Sequence, residues 1–546
     1  MDKQELIGRC LEKGFLLSPE MLIGEVDKEF FKLISHINIK ESPVILDKDF
    51  FFVLKKGEKV DINWLEFEKS KALFEKGRDK KVYEIFLDLI NYNLSEEKKE
   101  KLDRILEQVE KPEKNIVVEK IDRESESVVI LKSHKIESKS IDVKDFVEHF
   151  RGRYNAIKGI LQNRVELQEV ISINRLKLKK AREEVSLIGL VYDKRATKNG
   201  NVLLEIEDLT GGVRVLISKD KTNLLGLVNN ISLDEVIGIK GYGSGDIVFV
   251  NDIFFPDVAK QELKKAEHEC YAAFISDLHV GSNMFLKEDF LKFIKWINGE
   301  IGSELQREVA KKIRYLFIVG DVVDGVGIYP GQDEDLAIKD VRKQYEACAG
   351  LLGNIRKDIN IIIAPGNHDA LRLSVPQPVL DKNYAAALHE MENVVLVGNP
   401  SLVNIHSSKD FQGFNILIYH GYGFHYFIDN IDSLRNGNAR DNPNLVLKYL
   451  LQRRHLSPTH GSTLYVPGAE DYLVIGNLPD FIVTGELHRS DVSSYNNITL
   501  INCSCWQAKT DFQEKTGNNP DPSKVPIVNL KTREVKMMKF GDRAEG

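Results

Sequence analysis

Residues 359–369 read INIIIAPGNHD, an apolar run that ends at Gly366 and is followed at once by Asn367, His368 and Asp369. An apolar run of this length, bounded by glycine, is typical of a strand that is buried on both faces. The three polar side chains that follow are all able to bind a metal ion. The stretch therefore predicts a buried strand whose carboxyl end carries a metal or catalytic site.

Four further apolar runs in the second half of the chain end in the same way. They are YAAFIS before Asp277 and His279, YLFIVG before Asp321 and Asp324, FNILIY before His420, and FIVTG before Glu486 and His488. One such group alone is typical of a turn, but five in order are not. Strands of one open α/β sheet place their carboxyl ends along one crevice, so we expect these distant side chains to converge. An extended backbone would point both Asp277 and His279 to the same face.

Residues 185–260 read as about five short strands with glycine-rich turns between them. A helical interval, KTNLLGLVN, falls between the third and fourth strands. This pattern favours an OB-type β-barrel. Such barrels often bind single-stranded nucleic acid, but packing against a neighbouring domain explains the pattern equally well, since no stacking aromatic residue can be placed from the sequence. The basic run RLKLKKAR before the barrel is more often a solvated helix face.

The rest of the chain divides by composition. Residues 1–92 have apolar positions at helical spacing and predict a small helical module. Residues 93–145 predict a charged linker, because 23 of the 46 residues from Ser95 to Ser140 are charged and none is aromatic. Residues 146–184 predict a helical connector, and residues 268–546 an α/β domain. The 546-residue chain is therefore expected to be a multidomain α+β protein.

The overall composition excludes several classes of protein. With 76 basic and 83 acidic residues the formal charge is -7, so bulk charge does not indicate a nucleic-acid or membrane binder. No run of 18 apolar residues and no signal-peptide pattern occurs, so we expect a cytoplasmic protein that does not contact membranes. Cys503 and Cys505 lack the second pair that a zinc site needs, and we expect packed thiols.

The ordered motifs Asp-x-His, Gly-Asp-x-x-Asp, Gly-Asn-His-Asp, His-Gly and Gly-x-x-His resemble the calcineurin-like metallophosphoesterase superfamily between Phe274 and His488. Protein phosphatases of that superfamily have Arg at the position of Gly325 and Glu at that of Asp369. Both differences favour the phosphodiesterase and nuclease branch. The end of the chain is similar to the small subunits of archaeal family-D DNA polymerases, through Trp506-Gln507, TDFQ at 510–513, NPDP at 519–522 and VPIV at 525–528.

The domain order matches those small subunits as well, so this resemblance covers essentially the whole chain. It implies a heterodimer with a large catalytic polymerase subunit. It also implies a 3′-to-5′ exonuclease in this chain that acts on single-stranded DNA 3′ ends and proofreads. The alternative is a noncatalytic scaffold, as in the B subunits of eukaryotic replicative polymerases, which have lost the ligands. A free-standing phosphatase would not explain the barrel or the end of the chain.

The same resemblance assigns the metal ligands. The first ion would be held by Asp277, His279 and His488, the second by Asn367 and His420, and Asp321 would bridge them. Two ions about 3.5 to 4 Å apart can activate water, neutralise the phosphate and stabilise the leaving oxygen. The mixed nitrogen and oxygen donors favour Mn²⁺, with Mg²⁺ possible.

The resemblance also assigns residues outside the ligand set. His368 would contact the scissile phosphate and protonate the leaving oxygen, and Asp369 would orient its ring. Asp324 is expected behind the ligands. Arg372 would contact a DNA phosphate, although a structural ion pair is equally consistent with its position.

One position departs from the superfamily pattern. Where Gly-His-x-His is usual, this chain has Gly485-Glu486-Leu487-His488. Glu486 can bind through an oxygen, which would give a complete second site with an additional negative charge. It can instead point away and leave a degraded site that binds the second ion weakly. The sequence leaves both possibilities open.

Overall fold

The computed structural model describes residues 127–134, 141–167 and 169–541, and the backbone of two short strands, β1 (Phe15–Leu17) and β2 (Val44–Leu46). The chain divides into two compact units, Met1–Ile116 and Val117–Gly546. In the first unit β1 and β2 pair in parallel. Apart from these two strands, the predicted helical module of residues 1–92 lies outside the described residues. None of the helices in the described part of the chain is long and apolar enough to cross a membrane.

The described helices of the second unit are α1 to α12 in chain order. They are Val143–Gln162, Ile173–Lys177, Thr222–Asn229, Lys287–Ile297, Glu304–Lys311, Gln332–Asp335, Val341–Leu352, Lys382–His389, Phe424–Asn430, Asp432–Asn436, Asn444–Arg453 and Asp511–Thr516. A short 3₁₀ helix spans Val165–Leu167.

The strands of the second unit are β3 to β19. They are Ser127–Ser133, Glu183–Ala196, Val202–Asp208, Gly211–Ile217, Val236–Ser244, Ile247–Phe254, Tyr271–Ile275, Ile313–Val319, Asn360–Ala364, Val394–Leu396, Ser401–Ser407, Phe414–Ile418, Phe481–Thr484, Asp491–Tyr495, Ile498–Asn502, Lys524–Asn529 and Val535–Lys539.

Strands β4 to β8 close into a barrel in the order β4-β5-β6-β8-β7. Helix α3 lies between the third and fourth of these strands, so the predicted five-strand barrel with a helical interval is confirmed. Alternate side chains fill the interior, and Leu187, Leu204, Val215 and Ile239 have no exposed surface. Closure leaves no unpaired strand edge around the barrel.

Residues 127–133 and 271–539 contribute the strands of two six-stranded sheets, ordered β12-β11-β10-β9-β18-β19 and β16-β17-β15-β14-β13-β3. The expectation of a single open sheet is therefore wrong, since the strands before His420 and Glu486 belong to the second sheet. Phe274 and Phe317 of the first sheet pack with Phe481 of the second in a shared buried core. A strand that is buried on both faces has the same sequence pattern in either sheet, which is why the pattern did not separate them.

Helices cover the outer face of each sheet. Helices α4, α5, α7 and α8 pack on the first sheet, and α9, α10 and α11 pack on the second. The result is a four-layer α/β/β/α sandwich in which loops from both sheets meet at one edge.

The stretch predicted as a charged linker, residues 93–145, contains strand β3. Its apolar residues Val128 to Ile130 pair antiparallel with β13 at the edge of the second sheet. Helix α1 then begins at Val143 after the cap residue Asp142, three residues before the predicted connector. The linker prediction is wrong at these residues because pairing with an existing sheet edge stabilises a short apolar run despite its charged surroundings.

Helix α1 joins the barrel to the sandwich. Tyr154 of α1 donates a hydrogen bond to the backbone oxygen of Ile188 in the barrel, 3.1 Å away. The preceding residue, the fully buried Arg153, donates from Nε to Oδ2 of Asp471 at 2.7 Å. The connector is therefore fixed to both neighbours by buried polar contacts.

Candidate metal centre

The predicted ligands lie on loops that follow β9, β10 and β11 of the first sheet and β14 and β15 of the second. Five of these side chains stand on backbone in the left-handed region, with φ of 52° at Asp277, 50° at His279, 48° at Asp321, 66° at Glu486 and 54° at His488. The extended backbone predicted for residues 277–279 is therefore wrong. Such conformations cost roughly 1 to 3 kcal/mol each and persist where the surrounding structure imposes them, commonly at functional sites.

The first group of donors consists of Asp277, His279 and His488, whose ligand atoms lie within 4.8 Å of one another. His488 Nε2 lies 3.3 Å from Asp277 Oδ1 and 3.2 Å from His279 Nε2. Two ligands that bind one ion at right angles are about 3 Å apart, given bond lengths of about 2.1 Å. The spacing of this group therefore fits a bound cation.

The second group consists of Asp277, Asp321 and His420. His420 Nδ1 lies 2.9 Å from the Val319 backbone oxygen, which places a proton on Nδ1 and leaves the lone pair on Nε2 for the site. His420 Nε2 lies 3.2 Å from Asp321 Oδ2. Because the same Asp321 oxygen lies 3.8 Å from His279 Nε2, Asp321 stands between the two groups.

Glu486 points into the site. Its Oε2 lies 3.1 Å from His420 Nε2. Glu486 belongs to neither of the two groups of ligand atoms described above. Burial opposes a charge on His420, but the carboxylates of Asp321 and Glu486 outweigh it and raise the pKa of His420 well above its usual value. A positive charge is therefore favoured between these atoms.

Several buried side-chain atoms that could bind a metal ion have no hydrogen-bond partner among the described residues. They are Asp277 Oδ1, Asn367 Oδ1 and His420 Nε2, all of them atoms predicted to bind metal. An unsatisfied buried polar atom costs about 1 to 3 kcal/mol. The two oxygens offer lone pairs, and so does His420 Nε2 once its proton is released on metal binding. A divalent cation therefore satisfies all three atoms, and the residues present fit the expected metal ions.

Side chains outside the ligand set hold the ligands in place. Asp324 Oδ1 lies 3.0 Å from His279 Nδ1 and accepts from Gln507 Nε2 at 3.1 Å. Gln513 Nε2 lies 2.9 Å from His488 Nδ1. These contacts of Gln507 and Gln513 were not predicted, although both residues lie in the motifs that carry the resemblance to polymerase small subunits.

Asp369 does not orient the ring of His368, contrary to prediction. Its carboxylate accepts from Tyr345 at 2.9 Å and from the backbone of Gly366 at 2.8 Å, and no hydrogen bond of the described residues joins it to the His368 ring. Burial raises the pKa of Asp369 to about 6, and the charge of Asp321 adds to the effect. Asp369 therefore fastens the loop that carries Asn367 and His368.

The His368 ring is oriented by a backbone group instead. The ring Nδ1 lies 2.8 Å from the Asp324 backbone oxygen. The backbone N–H of His368 donates to Asp321 Oδ1 at 2.8 Å. Burial lowers the pKa of His368, but the charges of Asp321 and Asp324 outweigh it, so the pKa is raised. A ring nitrogen of His368 also lies within 4.8 Å of ligand atoms of His279 and Asp321, so these three residues form a third group that could hold a metal ion.

Arg372 is held by neighbours within the fold. Its Nη2 lies 2.8 Å from His134 Nε2 and donates to the Pro376 backbone oxygen at 2.6 Å. The described contacts of Arg372 thus include no carboxylate partner, and the structural ion pair considered for it is not formed among these residues.

Two glycines allow the loops to approach one another. A Cβ atom on Gly320, where φ is 83°, would lie 2.1 Å from His420 Nδ1, and one on Gly366 would lie 2.2 Å from Asp321 Oδ1. Gly366 is required for this close approach rather than for a left-handed turn. Any side chain at either position would displace a ligand.

Buried carboxylates and imidazoles thus meet at the strand ends of this sandwich and could hold metal ions. Residues 272–490 match the family model of the calcineurin-like phosphoesterases, which confirms the first resemblance. This part of the chain is therefore a calcineurin-like phosphoesterase domain.

Similarity to archaeal proteins extends beyond this domain. The chain is 39% identical over 389 residues to the DNA polymerase II small subunit of Methanothermobacter thermautotrophicus, covering 71% of this chain and 78% of that protein. It is 40% identical over 422 residues to the same subunit of Pyrococcus horikoshii, covering 76% of this chain and 66% of that protein. The Archaeoglobus fulgidus subunit is 35% identical over 402 residues, with coverage of 73% and 78%. The chain belongs to the archaeal DNA polymerase II small subunit family.

Proposed function

We propose that this chain is the small subunit of a two-subunit DNA polymerase and hydrolyses DNA phosphodiester bonds with two divalent ions. Its direction would be 3′ to 5′ on single-stranded ends, as in proofreading, and a large catalytic subunit would be its partner. The observation that carries the proposal is the set of buried donors with unsatisfied lone pairs at Asp277, Asn367 and His420. The names of its relatives support the polymerase assignment.

The groups of donors within 4.8 Å of one another support the roles of five ligands, Asp277, His279, Asp321, His420 and His488. Asn367 is supported by its unsatisfied buried oxygen, and Glu486 by its Oε2, which lies 3.1 Å from His420 Nε2. Asp277, His279 and His488 would hold the first ion, Asn367, His420 and Glu486 the second, and Asp321 would lie between them. Two such ions, when bound, activate water and neutralise charge on the phosphate. The mixture of imidazole nitrogen with carboxylate and amide oxygen suits Mn²⁺ better than Mg²⁺, which prefers oxygen ligands.

His368 would act on the leaving oxygen. Because Nδ1 faces the Asp324 backbone oxygen, Nε2 is the nitrogen available to substrate. In its protonated form the ring would donate a proton from this nitrogen to the leaving oxygen of the scissile bond. Arg372 would contact a neighbouring DNA phosphate from its half-buried position.

The test is hydrolysis of a 5′-labelled single-stranded DNA by the purified full-length chain with added Mn²⁺. We expect shortening from the 3′ end, and a rate at least about 100-fold lower in Asp277→Asn and His420→Ala, because each removes a ligand from the site. Asp432→Asn is the matched control, since Asp432 is exposed and pairs with Arg435 outside the site.

Unchanged rates in both ligand variants would show that hydrolysis occurs elsewhere. A wild-type chain that supports synthesis by the large subunit but never shortens DNA would favour the scaffold alternative. The specific feature that favours this second function is Glu486, which stands where the superfamily pattern has a histidine.

A further inference from the structure

Glu486 lies between two imidazoles, only one of which belongs to the predicted ligand set. Its Oε2 lies 3.1 Å from His420 Nε2, and its Oε1 lies 3.6 Å from Nε2 of His425. The Glu486 side chain is 11% exposed, whereas that of His425 is 36% exposed. The carboxylate is thus enclosed, with one oxygen facing the second group of donors and the other facing a histidine at the mouth of the site.

Metal-binding histidines usually donate their second ring nitrogen to a carboxylate, which fixes the orientation of the ring. At Glu486 this arrangement is reversed. The Glu486 carboxylate faces the metal site, and the His425 imidazole lies on the side of the carboxylate that faces away from the site. Ligating carboxylates also need an outer hydrogen-bond partner. Among the described contacts of Glu486, His425 is the side chain that reaches the oxygen turned away from His420.

A glutamate in this place needs to be held. Ordering a glutamate side chain costs about 1.5 to 2 kcal/mol of conformational entropy. The site already contains Asp277 and Asp321 on the side of His420, and their charges repel another carboxylate. Without an outer partner, Glu486 would gain by turning towards solvent.

The element that carries His425 is well fixed. Helix α9 follows His420 and Gly421 directly, and Phe424 beside His425 is buried against Tyr419, with ring centroids 5.8 Å apart. His425 therefore stands at a defined distance from the site rather than on a free loop.

We propose that His425 is a positioning residue that holds Glu486 Oε1, so that Oε2 binds the second metal ion. The inference rests on the two-metal site of the proposed function and adds to it an outer partner for the unusual ligand. His425 acts through Glu486 and not on the substrate.

The experiment measures Mn²⁺ binding to the full-length chain by equilibrium dialysis and metal analysis. We expect two ions per chain in the wild type. In His425→Ala the weaker site should lose affinity by about 10- to 100-fold, as is usual when the outer partner of a ligand is removed, while the tighter site is unchanged. His425→Gln keeps an N–H donor and should recover most of the affinity. His268→Gln, which changes an exposed histidine outside the site, is the control.

A second pair of variants tests the exchange of groups. Glu486→His and His425→Asp should each weaken the second site, and the double variant should bind more tightly than either, because it restores an imidazole ligand with a carboxylate behind it. An unchanged Mn²⁺ affinity in His425→Ala, a wild-type chain that binds one ion only, or a double variant no better than the singles would overturn the inference.

The two proposals fail in different ways. If the wild-type chain binds two ions with the expected dependence on His425 but does not hydrolyse DNA, the proposed function fails and the positioning role stands. If DNA is hydrolysed and His425→Ala changes neither affinity nor rate, the positioning role fails and the function stands.

Discussion

The metal centre and the cluster around Arg153 both bury carboxylates beside imidazoles, but their charges are satisfied differently. In the Arg153 cluster, Oδ2 of Asp471 accepts from Arg153 Nε at 2.7 Å and lies 2.9 Å from His455 Nε2. In the metal centre, Asp277 Oδ1 and His420 Nε2 are buried without a hydrogen-bond partner among the residues that the structure describes. In the first cluster the Asp471 carboxylate is paired within the chain, and this pairing stabilises the fold. The second is incomplete without a cation, and that deficit is what marks a functional site.

Arg153→Met tests the completeness of the first cluster and should have the largest effect. It leaves the carboxylate of Asp471 buried without its main partner, so the free energy of unfolding should fall by about 3 to 5 kcal/mol. Urea unfolding followed by circular dichroism measures this change. Arg195→Met is the matched control, because Arg195 pairs with Glu205 at 2.6 Å on the exposed barrel surface and should cost less than about 1 kcal/mol.

The double variant Arg153→Met with Asp471→Leu should recover part of the loss, since it removes the unpaired charge as well. Equal losses in Arg153→Met and Arg195→Met would show that the buried pair is worth no more than a surface pair, and the contrast between the two clusters would then be wrong.

Added metal should stabilise the metal centre and leave the other cluster unaffected. At a Mn²⁺ concentration 100 times the Kd of each site, the wild-type chain should gain about 2.7 kcal/mol per site in its free energy of unfolding. Arg153→Met should gain the same amount from its lower starting point, whereas Asp321→Asn should gain much less. Asn can still accept the hydrogen bond from the His368 backbone, so its metal-free stability should change little.

Urea unfolding with Mn²⁺ and with a chelator measures these gains. A full metal response in Asp321→Asn would remove Asp321 from the ligand set, and no response in the wild type would contradict the two-metal reading of the site.

The smallest of the three effects concerns pH. Burial, together with the charge of Arg153, lowers the pKa of His455 to about 4. Because the unfolded value is about 6.5, the unfolded chain binds more protons between these values, and stability falls as the pH falls from about 6.5 to about 4. Between pH 7 and pH 5, the titration of His455 should lower the free energy of unfolding by about 2 kcal/mol, since one pKa unit corresponds to about 1.36 kcal/mol.

The pKa of Asp471 is held well below its usual range by Arg153 and His455 against the effect of burial, so its contribution is also lost on the acid side. Metal-free unfolding at both pH values should show a shallower pH dependence in His455→Gln than in the wild type. The same slope in both chains would mean that His455 does not titrate in this window.

Much of the architecture could be predicted because it depends on local patterns. The barrel was recognisable from alternating residues and turns, since each strand of a barrel has one face inside. The candidate ligands Asp277, His420 and His488 were recognisable because each follows an apolar run that ends at the edge of a sheet. Strand β3 was missed because its few apolar residues stand among charged ones and are stabilised only by the neighbouring sheet edge.

Contacts between distant residues could not be predicted. Arg153 and Asp471 are 318 residues apart, and nothing in the sequence around either indicates the other. The role expected for Asp369 failed for a similar reason, since it bonds to Tyr345 on helix α7 rather than to its neighbour in the sequence. His425 was also missed, because a single histidine on a helix carries no pattern.

The sequence by itself determined which donor atoms the site contains, their order along the chain, and the substitution of carboxylate for imidazole at Glu486, because these are properties of side-chain chemistry. Only the tertiary structure decided that two sheets supply the ligands, that Glu486 faces His420, and that His425 stands behind it. The physical reason is that left-handed backbone at Asp277, His279 and Asp321 is locally unfavourable. Packing around the site imposes it, and packing depends on residues far apart in the chain.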